Sequence, residues 1–268
     1  YNATTTLFTW LLSLPFGEVN SLTAWLPTAI ASSVIVTLIY RLVAPQSTTW
    51  ALLSVALLLL SMTFITETRA VSLDQMLAAV SLGAFYLAYA HDHFEAPRRH
   101  FWLLLLLILG FAIRGPIGLV IPTGMLCSYF LLSGQWRRMI SVGLQALVIL
   151  LLCIGLLLFL AWVSGGQAFV QDVIRMQVTG RIDGSEGASG PFYYFTSSMG
   201  NYALAYPLAV LVLVVVLIAG RKPSSPALHL VKYCAAAGLI VMIGLSVPQA
   251  KKARYLLPML PMAAIIAA

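Results

Sequence analysis

Long apolar runs fill almost the whole chain, and short polar breaks separate them. A helix needs about 20 mostly apolar residues to cross the hydrocarbon core of a bilayer, because it rises about 1.5 Å per residue. By this measure the pattern predicts about nine to ten helical spans or half-spans. They lie near residues 22–43, 48–66, 70–90, 101–113, 117–133, 139–163, 201–220, 229–247 and 255–268.

The polar break Arg114-Gly115-Pro116 separates two runs that are each short for a full span. The two runs together form either one kinked span or a hairpin of two short helices. An unpaired arginine at the middle of a bilayer costs about 2.5–3.5 kcal/mol even on the lenient insertion scale. We therefore favour the hairpin, which places Arg114 at a membrane face.

The composition excludes several classes of protein. Of 268 residues, 61% are hydrophobic and 9% are charged, and the mean hydropathy is +0.96. A soluble domain carries roughly 25% charged residues, so this chain has too few charges for a water-facing surface. The net charge of +7 comes from basic residues scattered between apolar runs, which do not form a face for nucleic acid. We predict an all-α polytopic transmembrane bundle, a single transmembrane domain over residues 1–268, with membrane lipids as partners and no nucleic acid.

Counting the hairpin as two crossings assigns the polar connectors to alternating membrane faces. The first face holds residues 1–21, 67–69, 114, 164–200 and 248–254; the second face holds residues 41, 91–100, 135–138 and 221–226. Pairs of adjacent basic residues favour the second face as the cytoplasmic one. These pairs are Arg98-Arg99, Arg137-Arg138 and Arg221-Lys222. Most carboxylates and many cations then fall on the outer, first face, which indicates an anionic ligand there.

The segment 164–200 is the only long polar stretch, and we predict an outer-face loop over it. A helical stretch over residues 167–178 leads into a run rich in glycine, serine and acidic residues, which is typical of a loop. On the second face, His91, His93 and His100 have a spacing seen among metal ligands. Ligand spacing alone is a weak signal, and we favour a cytoplasmic interfacial loop for these histidines.

Five segments, taken in order, resemble one family. They are Leu7-Phe-Thr-Trp-Leu-Leu with Gly17-Glu-Val-Asn and Ala24-Trp-Leu-Pro; Thr68-Arg-Ala-Val-Ser-Leu-Asp74; Gly110-Phe-Ala-Ile-Arg-Gly-Pro116; Gly190-Pro-Phe-Tyr-Tyr194; and Ser246-Val-Pro-Gln-Ala-Lys-Lys-Ala-Arg-Tyr-Leu-Leu-Pro258. Their order and spacing resemble the GT-C type glycosyltransferases that use polyprenyl-phosphate sugars, in particular the aminoarabinose transferase (ArnT)/protein mannosyltransferase-like group. This resemblance implies transfer of a monosaccharide from a polyprenyl-phosphate donor to a lipid, protein or glycan acceptor, at the outer face of a bacterial inner (plasma) membrane.

The resemblance also implies roles for particular residues. The departing lipid phosphate needs fixed cations, and the matching positions assign phosphate binding to Arg114, Lys251, Lys252 and Arg254. Arg114 stands where the family usually has a lysine, and arginine can bind phosphate through two parallel N–H groups.

Further residues are expected around this phosphate site. Tyr193, Tyr194 and Glu186 would cover the site and shape the acceptor pocket, while Asp74 and Arg69 would support it. A simpler interpretation of Asp74 is a carboxylate that the helix dipole favours in a first turn.

The departures from the family pattern limit these assignments. The family's catalytic Asp-Glu pair precedes the region where this chain begins, so we expect a fragment of a longer chain and leave the catalytic residues unassigned. Several members have a histidine metal ligand in the long loop, whereas residues 164–200 contain none. We therefore assign no metal ligand and leave a divalent ion open. The alternative function is a non-catalytic transporter or lipid-handling protein, which would also place charges at helix breaks.

Overall fold

The computed structural model describes residues 9–95, 97, 100–174, 192–219, 225–247 and 251–268. Helices dominate these ranges, which confirms the all-α prediction. The α-helices are α1 (Ser21–Val43), α2 (Thr48–Leu59), α3 (Met62–Thr68), α4 (Leu73–His93), α5 (His100–Leu132), α6 (Trp136–Ile174), α7 (Tyr193–Asn201), α8 (Ala205–Ile218), α9 (Pro226–Ser246) and α10 (Leu260–Ala267). A short 3-10 helix, Leu14–Phe16, precedes α1, and a second one, Ala253–Met259, precedes α10.

Five of these helices are long and apolar enough to cross a membrane, namely α1, α4, α5, α6 and α9. Two bent pairs raise the number to seven if each pair is one span. The pair α2–α3 bends by 71° and the pair α7–α8 by 117°. The chain is thus a multi-pass membrane protein, and the larger number of nine to ten spans stays a prediction.

Helix α5 is a hairpin rather than one straight span. Its backbone leaves helical geometry at Arg114 (φ −140°, ψ 21°) and at Gly115, whose φ of 62° favours glycine. A Cβ atom on Gly110 would lie 2.3 Å from the carbonyl oxygen of Gly118, although residues eight positions apart in a straight helix are about 12 Å apart. The chain therefore folds back between two arms, residues 100–113 and 116–132. This confirms the hairpin that we favoured from the sequence.

Helix α4 is the most enclosed of the five candidate spans, because 78% of the residues in its most apolar 18-residue stretch are buried. It begins at the N-cap Ser72, whose hydroxyl accepts a hydrogen bond from the Gln75 N–H at 3.3 Å. It packs against α1, α5 and the second 3-10 helix. Asp74 and Asp92 lie about 27 Å apart along its axis, which is close to the thickness of a bilayer core. Helix α4 therefore carries one carboxylate at each membrane face.

Asp92 joins three segments at the second face. Tyr129 Oη donates to Asp92 Oδ2 at 2.8 Å, and Gln135 Nε2 donates to the same oxygen at 2.8 Å. Arg138 Nη1 donates to Asp92 Oδ1 at 2.7 Å. The carboxylate thus connects the end of α4 to the second arm of α5 and to the start of α6.

We expect Tyr129→Phe to lower the free energy of unfolding by about 1–3 kcal/mol, because it removes a buried hydrogen bond to a charged group. Thermal unfolding in detergent measures the loss. Tyr40→Phe is the matched control, because Tyr40 is exposed at 39% and its change should leave the melting temperature within experimental error. Equal melting temperatures for both variants would contradict the structural importance of the Asp92 network.

The predicted outer-face segment 164–200 has helical structure at both ends. Helix α6 continues past residue 164 to Ile174, with a break at Gly166 where φ is 65°. Helix α7 begins at Tyr193. The glycine-rich centre of the predicted loop, including Glu186, lies outside the described residues.

Candidate functional site

Three segments that are distant in the sequence meet at Asp74. This residue lies in the first turn of α4 and is only 3% exposed. Arg114 at the tip of the α5 hairpin forms an ion pair with Asp74 Oδ1 through its Nη1 atom. Arg254 in the second 3-10 helix places its Nε atom 3.4 Å from Asp74 Oδ2. The structure thus brings Arg114 and Arg254 together at one membrane face.

The two arginines differ in how they are held. The guanidinium carbon of Arg114 lies 4.0 Å from the centroid of the Tyr255 ring, a geometry in which the ring attracts the cation. The Arg114 side chain is 14% exposed, whereas that of Arg254 is 51% exposed. Arg114 is therefore held between Asp74 and Tyr255, whereas about half of the Arg254 side chain is exposed at the protein surface.

Two lysines complete the cationic group. Lys251 is only 4% exposed, and Lys252 is half-buried at the N-cap of the second 3-10 helix. With Arg114 and Arg254 they make four cationic residues in the two segments that meet Asp74, while Glu67 at the end of α3 lies near Tyr202. A surplus of positive charge with low-dielectric walls attracts anions.

Tyrosines of α7 pack against the segment that carries these cations. Tyr194 is fully buried, and its hydroxyl lies near Arg114 and the backbone of Lys252. The ring of Tyr193 contacts that of Tyr194 edge to face, with 5.4 Å between the centroids. Tyr202 Oη donates to the carbonyl oxygen of Ala253 at 2.7 Å, so it fixes the start of the 3-10 helix. Sequence reasoning missed Tyr202, because no local pattern ties it to a residue 51 positions away.

A buried layer of hydroxyl groups and one amide fixes the first turn of α4. Ser32 Oγ lies 2.9 Å from Thr68 Oγ1, and Gln75 Nε2 donates to Ser32 Oγ at 2.9 Å. The Ser72 N–H donates to Thr28 Oγ1 at 3.2 Å. These bonds tie α1 and α3 to the helical turn that carries Asp74. Sequence reasoning missed them too, although Thr68 lies in one of the segments that resemble the family.

Of the remaining predicted site residues, Arg69 is described by the structure and Glu186 is not. Arg69 ends α3 and is exposed, while the ion pairs of Asp74 come from Arg114 and Arg254. Glu186 lies outside the described ranges. Within those ranges, no three His, Cys, Asp or Glu side chains are grouped so as to hold a metal ion.

An apolar cavity of about 280 Å³ lies between α8, α9 and α10. Its lining includes Phe195 of α7 and the methionines Met242, Met259 and Met262. Met259 ends the same 3-10 helix that carries Arg254 and Tyr255. The apolar cavity and the cations are therefore linked through one short helix.

Two solved structures share this fold. The crystal structure of ArnT from Cupriavidus metallidurans bound to undecaprenyl phosphate matches with a TM-score of 0.74 and 19% identity, covering 98% of this chain and 48% of that one. The apo structure of the same protein matches with a TM-score of 0.73 and 18% identity over the same shares. This chain therefore spans about half the length of these structures. A comparison with curated protein sequences gave no match.

A family model described as dolichyl-phosphate-mannose-protein mannosyltransferase matches residues 4–164. The match begins before α1 and ends within α6, and it includes Asp74 and the hairpin tip at Arg114. Because this match covers more than half of the sequence, the chain belongs to the dolichyl-phosphate-mannose-protein mannosyltransferase family, which is a family of glycosyltransferases.

Proposed function

We propose that this chain forms the donor-binding membrane portion of a glycosyltransferase at the outer face of a bacterial inner membrane. The enzyme would transfer a monosaccharide from a polyprenyl-phosphate donor to a lipid, protein or glycan acceptor. Membership of the family supports sugar transfer from a lipid-linked donor. One of the solved structures with this fold has undecaprenyl phosphate bound, which supports a polyprenyl phosphate as the lipid.

The observation that carries the proposal is the pair of arginines on Asp74. Arg114 and Arg254 come from separate segments and share one buried carboxylate at a membrane face. Arginine has five N–H donors, and the half-exposed Arg254 side chain meets Asp74 through its Nε atom, so its Nη groups are placed at the open side of the site. Phosphate bound by two guanidinium groups gains short, charge-assisted hydrogen bonds. Lys251 and Lys252 would add positive charge beside them.

The same arrangement would favour departure of the phosphate. Negative charge develops on the phosphate as its bond to the sugar breaks, and cations that are already positioned stabilise that charge. Asp74 holds Arg114 in place through the ion pair, while Tyr255 packs against the guanidinium face. The lipid tail would enter the apolar cavity next to the 3-10 helix.

The base for the acceptor is proposed to come from outside the described residues. Asp74 is engaged by two guanidinium groups, so its oxygens are occupied by ion pairs. Tyr193 and Tyr194 would border the acceptor pocket, with Glu186 in the adjoining segment. Arg69, exposed at the end of α3, would contribute only to the local positive potential.

Binding of polyprenyl phosphate to the full-length protein tests this proposal. We expect Arg254→Ala to weaken the affinity at least about tenfold, because one charge-assisted hydrogen bond is worth about 1.5–3 kcal/mol. Arg41→Ala is the matched control, since Arg41 is an exposed arginine in the last turn of α1, at the opposite face. Titration of detergent-solubilised protein with the lipid, followed by intrinsic fluorescence, measures both. Equal affinities for parent, Arg254→Ala and Arg41→Ala would contradict the proposed site.

The alternative, a non-catalytic lipid-handling protein or transporter, makes a different prediction for a second assay. Transfer of radiolabelled sugar from the donor lipid requires the proposed chemistry, whereas binding of the lipid does not. Binding that depends on Arg254 without any transfer would favour the alternative.

A further inference from the structure

Two of the three histidines whose spacing is seen among metal ligands line a small cavity. His91 and His100 line a cavity of about 50 Å³ at the second face, together with Arg138. This volume is several times what one water molecule needs. The cavity lies at the Asp92 end of α4, about 27 Å along the helix from Asp74. It therefore belongs to the opposite membrane face from the proposed donor site.

The polar part of the cavity can bind an anion. Arg138 uses its Nη1 atom for both Asp92 and Gln135, which leaves the N–H groups of Nη2 and Nε for another acceptor. The exposed ring of His100, which also lines the cavity, supplies an N–H donor in either protonation state. The nearby carboxylate of Asp92 accepts hydrogen bonds from Tyr129, Gln135 and Arg138, and Asp92 itself does not line the cavity.

The rest of the cavity is apolar. Leu87, Leu103 and Phe130 line its remaining walls. Next to it, Phe101 is 70% exposed and Trp102 is 53% exposed, and exposed aromatic rings at helix ends settle at the membrane interface. Arg137, an exposed residue at the start of α6, adds positive charge nearby.

We propose that this cavity binds the phosphate of an anionic phospholipid from the leaflet at the second face. The guanidinium of Arg138 and the ring of His100 would contact the phosphate, His91 would border the same cavity, and the acyl chains would follow the apolar wall toward Phe130. Basic pockets between transmembrane helices bind anionic headgroups by the same chemistry. The site would hold a structural lipid across the junction of α4, α5 and α6.

Native mass spectrometry of the full-length protein, taken from phosphatidylcholine vesicles with and without phosphatidylglycerol, tests the proposal. The parent protein should retain phosphatidylglycerol in preference to phosphatidylcholine. A double variant, His91→Ala with His100→Ala, should retain about tenfold less phosphatidylglycerol. The control Arg41→Ala removes a positive charge at the same face from a residue that does not line the cavity, and should retain as much as the parent.

A second variant tests the site if the double variant does not fold. His100 is exposed in the first turn of α5, so His100→Ala alone should fold and should still lower the retention of phosphatidylglycerol. A further sample, with phosphatidylcholine vesicles and inorganic phosphate but no phosphatidylglycerol, separates a lipid from a free anion. The proposal expects no phosphate to be retained by the protein in this sample. Retention that is equal for both lipids, unchanged in the histidine variants, or equally lowered by Arg41→Ala would overturn the proposal.

Discussion

Arg114→Ala in the full-length protein should lower sugar transfer at least about 100-fold while the protein remains in the membrane. A positioned group that stabilises charge in the transition state typically contributes about 100-fold or more to the rate. Arg114 is suited to this role because Asp74 and Tyr255 hold it at the hairpin tip. Transfer from a radiolabelled polyprenyl-phosphate sugar measures the rate, and membrane fractionation measures insertion.

The change also leaves the Asp74 carboxylate with one partner fewer, which costs about 3–5 kcal/mol when a buried ion pair is broken. A double variant, Asp74→Asn with Arg114→Gln, separates this structural cost from the chemistry. It removes both charges of the pair and keeps a polar, neutral side chain at each position. If Arg114 acts on the phosphate, the double variant should fold yet stay inactive. Recovery of transfer in the double variant would show that Arg114 serves only the fold.

Gly118→Ala should destabilise the protein by about 3 kcal/mol or more, because the hairpin arms meet backbone to backbone at this point. A Cβ atom on Gly118 would lie 1.9 Å from the carbonyl oxygen of Gly110. Backbone cannot swing aside as a flexible side chain can, so the arms must separate, and overpacking of this kind costs several kcal/mol. The separation would also move Arg114 away from Asp74. The melting temperature and the rate of sugar transfer should therefore both be lower than in the parent protein.

Gly124→Ala is the matched control on the same arm. Its added Cβ would lie 3.7 Å from the nearest atom, a side-chain carbon of Ile240, which is ordinary van der Waals contact. Alanine also favours the helix by about 1 kcal/mol over glycine, so this variant should be as stable as the parent or slightly more so. A Gly118→Ala protein with the melting temperature of the Gly124→Ala protein would refute the close packing of the arms.

The apolar pattern predicted much of this fold, because each span must be long enough and apolar enough for a bilayer. The helices α1, α4 and α9 begin and end within a few residues of the predicted runs. The hairpin was predictable too, since an arginine followed by Gly-Pro cannot continue through the membrane core at low cost. The bends were not predictable. Leu204, beside the 117° bend, has a φ of 72°, a conformation that a leucine rarely adopts.

The site was predictable in its composition but not in its connections. The alternation of membrane faces placed Asp74, Arg114 and Arg254 on the same face. It did not indicate that one carboxylate binds both arginines, because these residues are far from Asp74 in the sequence and meet it only through tertiary packing. The Asp92 network at the other face was missed for the same reason. Each of its donors lies in a later part of the chain, and the sequence alone shows no periodicity that links them.

The two ion-paired carboxylates at the ends of α4 have a consequence for biosynthesis. Helix α4 is the least apolar of the five candidate spans, and an aspartate is costly to insert into a bilayer. The partners of Asp92 and Asp74 in α5, α6 and the second 3-10 helix are all translated after α4. We therefore expect the nascent helix to leave the insertion machinery more slowly until the following segments, with the partners of Asp74 and Asp92, have emerged. Truncated nascent chains that end before Arg114 should be retained there longer than chains that extend beyond Arg254.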